Sequence, residues 1–495
     1  MKLTCLKLNR TSDKQNTSLI QPLKINFLQM KKHLSALILL LLCISFSSTA
    51  FSQKIKIYKK NGILSTRIPK REKNQTDVIE LRCEPIDTVR IAVIGVGNRG
   101  NQALRRLSFI PTAKIVAVSD VKPEYIERAK NILSNRPLSS VNFYSGKDDW
   151  KQICKREDID LVYVCTHWDL HAPIALEALN NGKHTAVEIP IALSLEECWD
   201  LINSAEKNRK HCMILENCIY DDFELTAINM VQQGLIGEVV HAEGAYIHDL
   251  REYLFSPTKY WDYWRLKHNT ENEGNLYPTH GLGPVAHAMN IHRGDKMNYL
   301  TCVSSNQFAL TNYAKKKFGE DSPEAKTVYK NGDINTTMIK TEKGKSILIQ
   351  HDVSSARPYS RLTTFVGLKG YLQGYPTPNI ALESEVLSSE EFLPKTQLDS
   401  ILKEYQHPIV KDIISTAKEI GGHGGMDYIM DYRLIFCLNN GLPLDMDVYD
   451  GVEWSSLVPL TRISLQQNSI PVEIPDFTRG AWNKIDKITY HQTKK

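Results

Sequence analysis

A chain of 495 residues with 42% hydrophobic content has the material for a large core and divides into at least two domains. Its formal charge of +5 is small for that length and gathers in the Lys and Arg of residues 1–73, which excludes a nucleic-acid stripe or a funnel for acidic substrates. Ten cysteines without CxxC spacing exclude a clustered metal framework.

Residues 30–52, MKKHLSALILLLLCISFSSTAFS, read as a secretory signal. Lys31 and Lys32 precede an apolar run over 34–44, and Ala50-Phe51-Ser52 offers a small-residue cleavage site. The run is too short to span a bilayer comfortably. Leu41 and Leu42 before Cys43 do not supply the small residue that lipid attachment asks for, so soluble export is expected. Met30 is the natural initiator of such a signal, which makes residues 1–29 a misassigned start. No twin-arginine pair precedes the run, so the chain is expected to be exported unfolded and to gather any cofactor afterwards. Residues 53–87 are polar, with little periodicity, and read as an extension or linker.

From residue 88 strand and helix alternate, with strands over 89–94, 114–120, 160–166, 183–188 and 211–216 and helices over 102–107, 123–133, 173–180 and 194–208. That order predicts a parallel, doubly wound sheet over 88–217. Ser194 with Glu197 forms a capping box, and Gly182 ends the preceding helix. VRIAVIGVGNRG at 89–100 runs a buried strand into Gly95-x-Gly97-x-x-Gly100, and Asp120 closes the next strand. The glycines let the chain turn tightly and approach a pyrophosphate, the helix N-terminus faces the phosphates, and the acid favours NAD over NADP at the ribose 2′-OH. Cys165, inside an apolar strand, reads as a core residue.

Ligands of such a sheet lie beyond the carboxyl ends of its strands. There stand Thr166-His167-Trp168-Asp169-Leu170-His171, Glu188-Ile189-Pro190 and Asn217, a set expected near the nicotinamide, although Trp168 alone reads as loop packing. His167, Asp169 and His171 lack a distant matching ligand pair, so no metal is expected. After residue 217, β-rich stretches at 237–248, 300–308, 335–340 and 345–353 predict a mostly antiparallel sheet in an α+β domain over 218–495, with helices over 431–438 and 449–466. Within it Tyr277, Pro278, Thr279 and His280 cluster between glycines, supplying hydrogen-bond donors and a side-chain type that titrates near neutrality. Read alone, His280 is more often a structural histidine. Tyr246 ends a strand, and Arg265 follows Trp264 in an aromatic-rich stretch that suits a sugar or a domain interface. No GxSxG elbow or Cys–His nucleophile pair stands out.

Over residues 88–495 the chain resembles the Gfo/Idh/MocA oxidoreductases, which join a Rossmann domain to an α/β domain whose open sheet faces the nicotinamide and often mediates self-association. Where their sugar dehydrogenases carry Glu-Lys-Pro, with the lysine moving the proton of the reacting hydroxyl, this chain has Glu188-Ile189-Pro190. WDLH at 168–171 is similar to the Trp-Glu-Trp-His loop of glycoside hydrolase family 109, the NAD-dependent α-N-acetylgalactosaminidases, and departs from it at Asp169 and Leu170. GNLYPTHGLGP at 274–284 and GHGGMDYIMDYRLIFCLNNGLPLDMDVYDGVEWS at 422–455 resemble that family's most specific segments.

The resemblance implies that Gly95, Gly97, Asn98, Arg99, Gly100, Asp120, Trp168, Asp169, Leu170, His171, Glu188, Ile189 and Asn217 contact NAD. It implies that Tyr246, Arg265, Tyr277, Pro278, Thr279, His280 and Tyr359 face the sugar, with His280 and Tyr277 nearest the chemistry. The reaction implied is a redox-assisted hydrolysis: transient oxidation at C3, loss of the C2 proton, departure of the C1 substituent, addition of water and re-reduction. NAD is then regenerated in each turnover, so an exported enzyme needs one captured cofactor and no supply. The competing readings are a net sugar oxidoreductase of the same superfamily and a non-catalytic exported sugar-binding protein.

Overall fold

Runs rich in Val, Ile and Ala at Val89–Ile94, Ala113–Ser119 and Leu161–Val164 form the middle of one parallel sheet; strands buried on both faces need helices on either side. In the computed structural model, which describes residues 55–134, 141–383, 390–411 and 413–492, the order across this sheet is Asn142–Tyr144, Ala113–Ser119, Val89–Ile94, Leu161–Val164, His184–Val187 and Cys212–Ile214. The leader expected over 30–52 lies outside the described residues. Chain order reverses between Val89–Ile94 and Leu161–Val164, the switch point at which a doubly wound sheet receives its ligand. Gly95 stands there with φ +86°, and a Cβ on it would come within 2.7 Å of the Cys165 carbonyl. The helix after the turn begins at Asn98, four residues before the expected start, so the glycine turn feeds it directly. The capping box of Ser194 and Glu197 is present.

Among the described residues the second sheet has ten strands. Its spine is Ser346–Asp352 running parallel to Val239–Ile247, flanked by antiparallel neighbours, among them Asn335–Thr341 and Met297–Ser304 on one side and Thr364–Gly367 on the other. The four-residue strands Thr364–Gly367, Gly370–Gln373 and Asn379–Leu382 are too short to show periodicity. No helix among the described residues is long and apolar enough to cross a membrane.

One expectation changes. The stretch read as an extension or linker packs into the fold: Ile57–Lys60 and Ile63–Thr66 form a hairpin that adds two strands at one edge of the second sheet. Asn61 and Gly62 supply its positive-φ turn, while Val78 and Leu81 are buried. Arg71 reaches Glu206 at 3.1 Å, where Arg479 also arrives at 2.8 Å. The YPTH segment is the entry to a helix, Thr279–Ala288. Glycines and a proline disguise that helix in sequence, and Gly281 is needed because its Cα packs against the backbone of Gly244 and Ala245 on the central strand.

The helices Met426–Asn439 and Val448–Gln466 are buried almost all round. Both bond the parallel-sheet domain: Asp431 accepts from Arg106 and Tyr163, each at 2.7 Å, and Ser455 accepts from the Ile191 amide at 3.0 Å. Val448–Gln466 also carries a buried ionic cluster. His292 lies 3.0 Å from Glu453, and Arg293 donates to both oxygens of Asp450 at 2.7 and 2.8 Å. Burial opposes the charged imidazole, but Glu453 and Asp450 outweigh it and push His292 up to about 10 from an ordinary 6.5. A raised folded value stabilises the fold fully below the unfolded value, and that contribution is lost as pH climbs through the folded one. The thermal midpoint is therefore expected to fall between pH 7 and pH 10, and to fall less steeply in a His292→Gln protein that starts lower. Melting curves across that range check it.

Candidate functional site

At the switch point the helix Asn98–Leu107 presents an N-terminus with no side-chain cap and no acid in its first turn. Its amide groups and positive dipole end are left for an anion. A Cβ on Gly97 would meet nothing nearer than a Tyr125 ring carbon at 3.8 Å, so space is kept open beside the turn. Asp120 accepts from the Val96 amide at 2.7 Å and the Lys122 amide at 2.9 Å, one bond to each carboxylate oxygen. Each oxygen retains capacity for a ribose hydroxyl. Burial pushes this carboxyl up, against the pull of the two amides. Uncapped helix end, open turn and held carboxylate fit a dinucleotide.

Beyond the next strands, Trp168 is buried and stacks on Tyr277, with ring centroids 5.7 Å apart. Asp169 is exposed between His167 at 3.3 Å and His268 at 3.4 Å, whose hydrogen bonds hold its carboxyl well below the usual range. Leu170 is half-buried, and Ile189 is buried before a cis bond to Pro190. His171 corrects the expectation. Its ring is buried, with one nitrogen 2.7 Å from the Pro190 carbonyl and the other 2.9 Å from the Thr166 carbonyl, so it ties two loops together and has no nitrogen left for a cofactor. Glu188 accepts from Arg99 Nε at 2.8 Å.

Opposite these loops, Tyr277 and His280 face Tyr246. The His280 ring lies 5.1 Å from that of Tyr277 and 5.2 Å from that of Tyr246. His280 Nδ1 is 2.7 Å from Glu216, which is fully buried, and 3.1 Å from the thiol of Cys218. A carboxylate only accepts, so the Glu216 contact puts a proton on Nδ1 and leaves Nε2 free. Burial raises the Glu216 carboxyl, but His280 more than reverses this and holds it low. Arg265 is 5% exposed with no carboxylate partner; its guanidinium lies between the rings of Trp168, Tyr246, Tyr260 and Tyr277, 4.5 to 5.8 Å from their centres. One of its terminal nitrogens is buried without a hydrogen-bond acceptor, which marks a donor awaiting a ligand oxygen. Tyr359 is 40% exposed at the rim, and its hydroxyl accepts from Arg361 at 3.1 Å. Pro278 is buried, and Thr279, expected to face the sugar, is fully buried and offers a ligand no surface, because it lies in the first turn of a packed helix.

Neither Glu216 nor Cys218 stands out in the sequence, although they flank Asn217, and no role falls there to His423. His423 sits among Gly421, Gly422, Gly424 and Gly425, and all five residues have positive φ. Its Nδ1 is 2.8 Å from Asp427, and its side chain is 54% exposed. Asp427 is a hub: Arg99 reaches it at 3.2 Å, Arg106 at 3.5 Å, and Asn217 donates to it. Burial opposes its charge, but Arg99 and then His423 hold the carboxyl well below its ordinary range. Burial, then the charges of Arg265 and His280, push His248 down to about 4; the Asn217 bond ties Asp427, and with it His423, to the segment that carries Glu216 and Cys218. A histidine boxed by two glycine pairs was the readable signal.

Comparisons with known proteins place both halves of the chain. Residues 89–216 match the oxidoreductase family model with an NAD-binding Rossmann fold, and residues 220–484 match the model of the glycosyl hydrolase 109 C-terminal domain. The chain is 46% identical over 468 residues to glycosyl hydrolase family 109 protein 1 of Bacteroides fragilis (strain YCH46), covering 92% of this chain and 98% of that one. It is 50% identical over 414 residues to an α-N-acetylgalactosaminidase of Bacteroides fragilis (strain ATCC 25285), covering 83% and 97%. Among solved structures, levoglucosan dehydrogenase in complex with NADH and levoglucosan shares the fold at a TM-score of 0.60 and 18% identity, covering 79% of this chain and 100% of that one.

Proposed function

The chain belongs to glycosyl hydrolase family 109, and we propose from that premise that this NAD-dependent glycosidase is an exported α-N-acetylgalactosaminidase acting by oxidation, elimination, hydration and re-reduction. The observation that carries the reading is the state of the carboxylates in the cleft. Hydrolysis through an oxocarbenium-like transition state needs two free carboxyl groups across the glycosidic bond. Here Glu188 is taken by Arg99, Glu216 by His280, and Asp427 by Arg99, His423 and Asn217. The ring nitrogens not held by a carboxylate are the Nε2 atoms of His280 and His423, beside the unpaired Arg265 donor.

The nicotinamide, when bound, supplies a reversible two-electron oxidation of the sugar carbinol at C3, which acidifies the C2–H bond. His280, on the aromatic floor of the cleft, takes the C2 proton through Nε2 while Glu216 fixes its tautomer. His423, on the exposed rim where an aglycone departs and water enters, acts with a proton on each ring nitrogen: Asp427 accepts from Nδ1 and orients the ring, and the Nε2 proton passes to the glycosidic oxygen, leaving a neutral imidazole that takes a proton from the incoming water. Arg265 binds a sugar oxygen, and Tyr277 positions the ring. The test is turnover of an aryl α-N-acetylgalactosaminide in deuterated water without added nicotinamide. Deuterium at C2 of the released sugar is expected; hydrolysis without exchange overturns the elimination route.

A further inference from the structure

In the fold described, a dinucleotide runs from the acid after the second strand, across the glycine turn, to the loops after the fourth and fifth strands. Residues 256–264 of the second domain touch the glycine turn and the loop after the fourth strand, and reach the neighbour of the acid. The Lys259 carbonyl accepts from the Asn98 side chain of the turn at 3.0 Å. The Trp261 ring lies under the ammonium of Lys122, two residues past Asp120, at 4.9 Å. Trp264 packs edge-on against Trp168 with centroids 5.1 Å apart. The chain between these points is bent by two consecutive non-glycine residues in the left-handed region, Asp262 at φ +55° and Tyr263 at +54°. Such conformations persist where the surroundings over-determine them.

We propose that residues 256–264 form a strap across the outer side of the NAD site, a cofactor-retaining element in which Lys259 and Trp261 close over the dinucleotide. This rests on the reading of Asn98, Asp120 and Trp168 as the NAD stations. The inner end is anchored: the Tyr260 hydroxyl accepts from Arg265 at 3.0 Å, and its ring packs on Trp264 at 5.3 Å. The outer end is held by one exposed hydrogen bond and one exposed cation–π contact, each weak alone. The strap therefore opens from the Lys122 side, and NAD enters and leaves only while it is open. A cofactor regenerated in every turnover benefits from slow release, above all in a compartment that does not resupply it.

The test follows exchange of isotopically labelled NAD into purified, NAD-loaded protein. Trp261→Ala, which removes the ring over Lys122, is expected to exchange roughly twofold to fivefold faster, the scale of one lost exposed cation–π contact. Trp261→Phe, which keeps a ring, should stay near wild type. Hydrogen exchange of residues 256–264 should slow in wild-type protein when NAD is restored after stripping, a readout that needs no variant. Unchanged exchange of label in Trp261→Ala that melts like wild type, or equal hydrogen exchange with and without NAD, overturns the strap. Wild-type protein that neither contains nor takes up NAD overturns the station assignment, and the strap with it.

Discussion

His280→Ala is expected to lower turnover of an aryl α-N-acetylgalactosaminide by about 10²- to 10⁴-fold, the usual worth of a positioned proton-transfer group, with NAD content unchanged. The loss is large because no neighbour can substitute. Burial pushes the phenols of Tyr246 and Tyr277 well above their ordinary value, and it pushes His248 down to about 4. The phenols therefore stay protonated, and His248 is too weak a base. Glu216→Gln provides the positioning control. A buried amide in place of the carboxylate can turn its NH₂ toward Nδ1, which moves the ring proton to Nε2, the nitrogen assigned to take the C2 proton. The expected signature is a fall in kcat with KM nearly unchanged and a displaced pH–rate profile. Steady-state kinetics with parallel sugar-binding measurements separate these outcomes. Retained turnover in His280→Ala removes the residue from the chemistry, and retained binding without turnover argues against a sugar-binding protein that never was an enzyme.

How much of this was legible followed from how local each signal is. The strand, glycine turn and Asp120 lie within a window of about 30 residues, and a βαβ unit fixes their geometry on its own. The hairpin at Asn61-Gly62 and the short strands over 364–382 carry too few residues for a period to emerge, so their sheet partners decide them. The helix Thr279–Ala288 reads against helix propensity because it contains Gly281, Gly283 and Pro284; the two glycines are set by tertiary packing against the central strand and Glu216. For the site, the sequence brought His280 forward through the residues around it. Glu216, 64 positions away, and Asp427, 328 positions from Arg99, become partners only once the two domains close on each other. His171 misled for the opposite reason: it sits in the right loop, but its ring faces inward to hold that loop.

The same long-range hub sets the second large effect. His423→Gln is expected to reduce turnover by about 10²- to 10⁴-fold for a substrate with a poor leaving group, such as an alkyl α-N-acetylgalactosaminide. With a nitrophenyl leaving group the reduction should be far smaller, since a nitrophenolate departs without a proton. The residue holds a left-handed φ of +46°, a strain of order 1–3 kcal/mol. Four flanking glycines make the loop permissive, and the 2.8 Å contact with Asp427 selects this one pose. Strain held in this way fixes where Nε2 points, while the imidazole's exposure keeps it within reach of an aglycone and of water. Asp427→Asn should show the same leaving-group dependence plus a loss of NAD, because it also releases Arg99 and Asn217. NAD should stay bound in His423→Gln. Rates on the two leaving-group classes, read beside the NAD content of each protein, decide the matter: equal losses on both classes would remove His423 from protonation of the glycosidic oxygen, whatever the size of the effect.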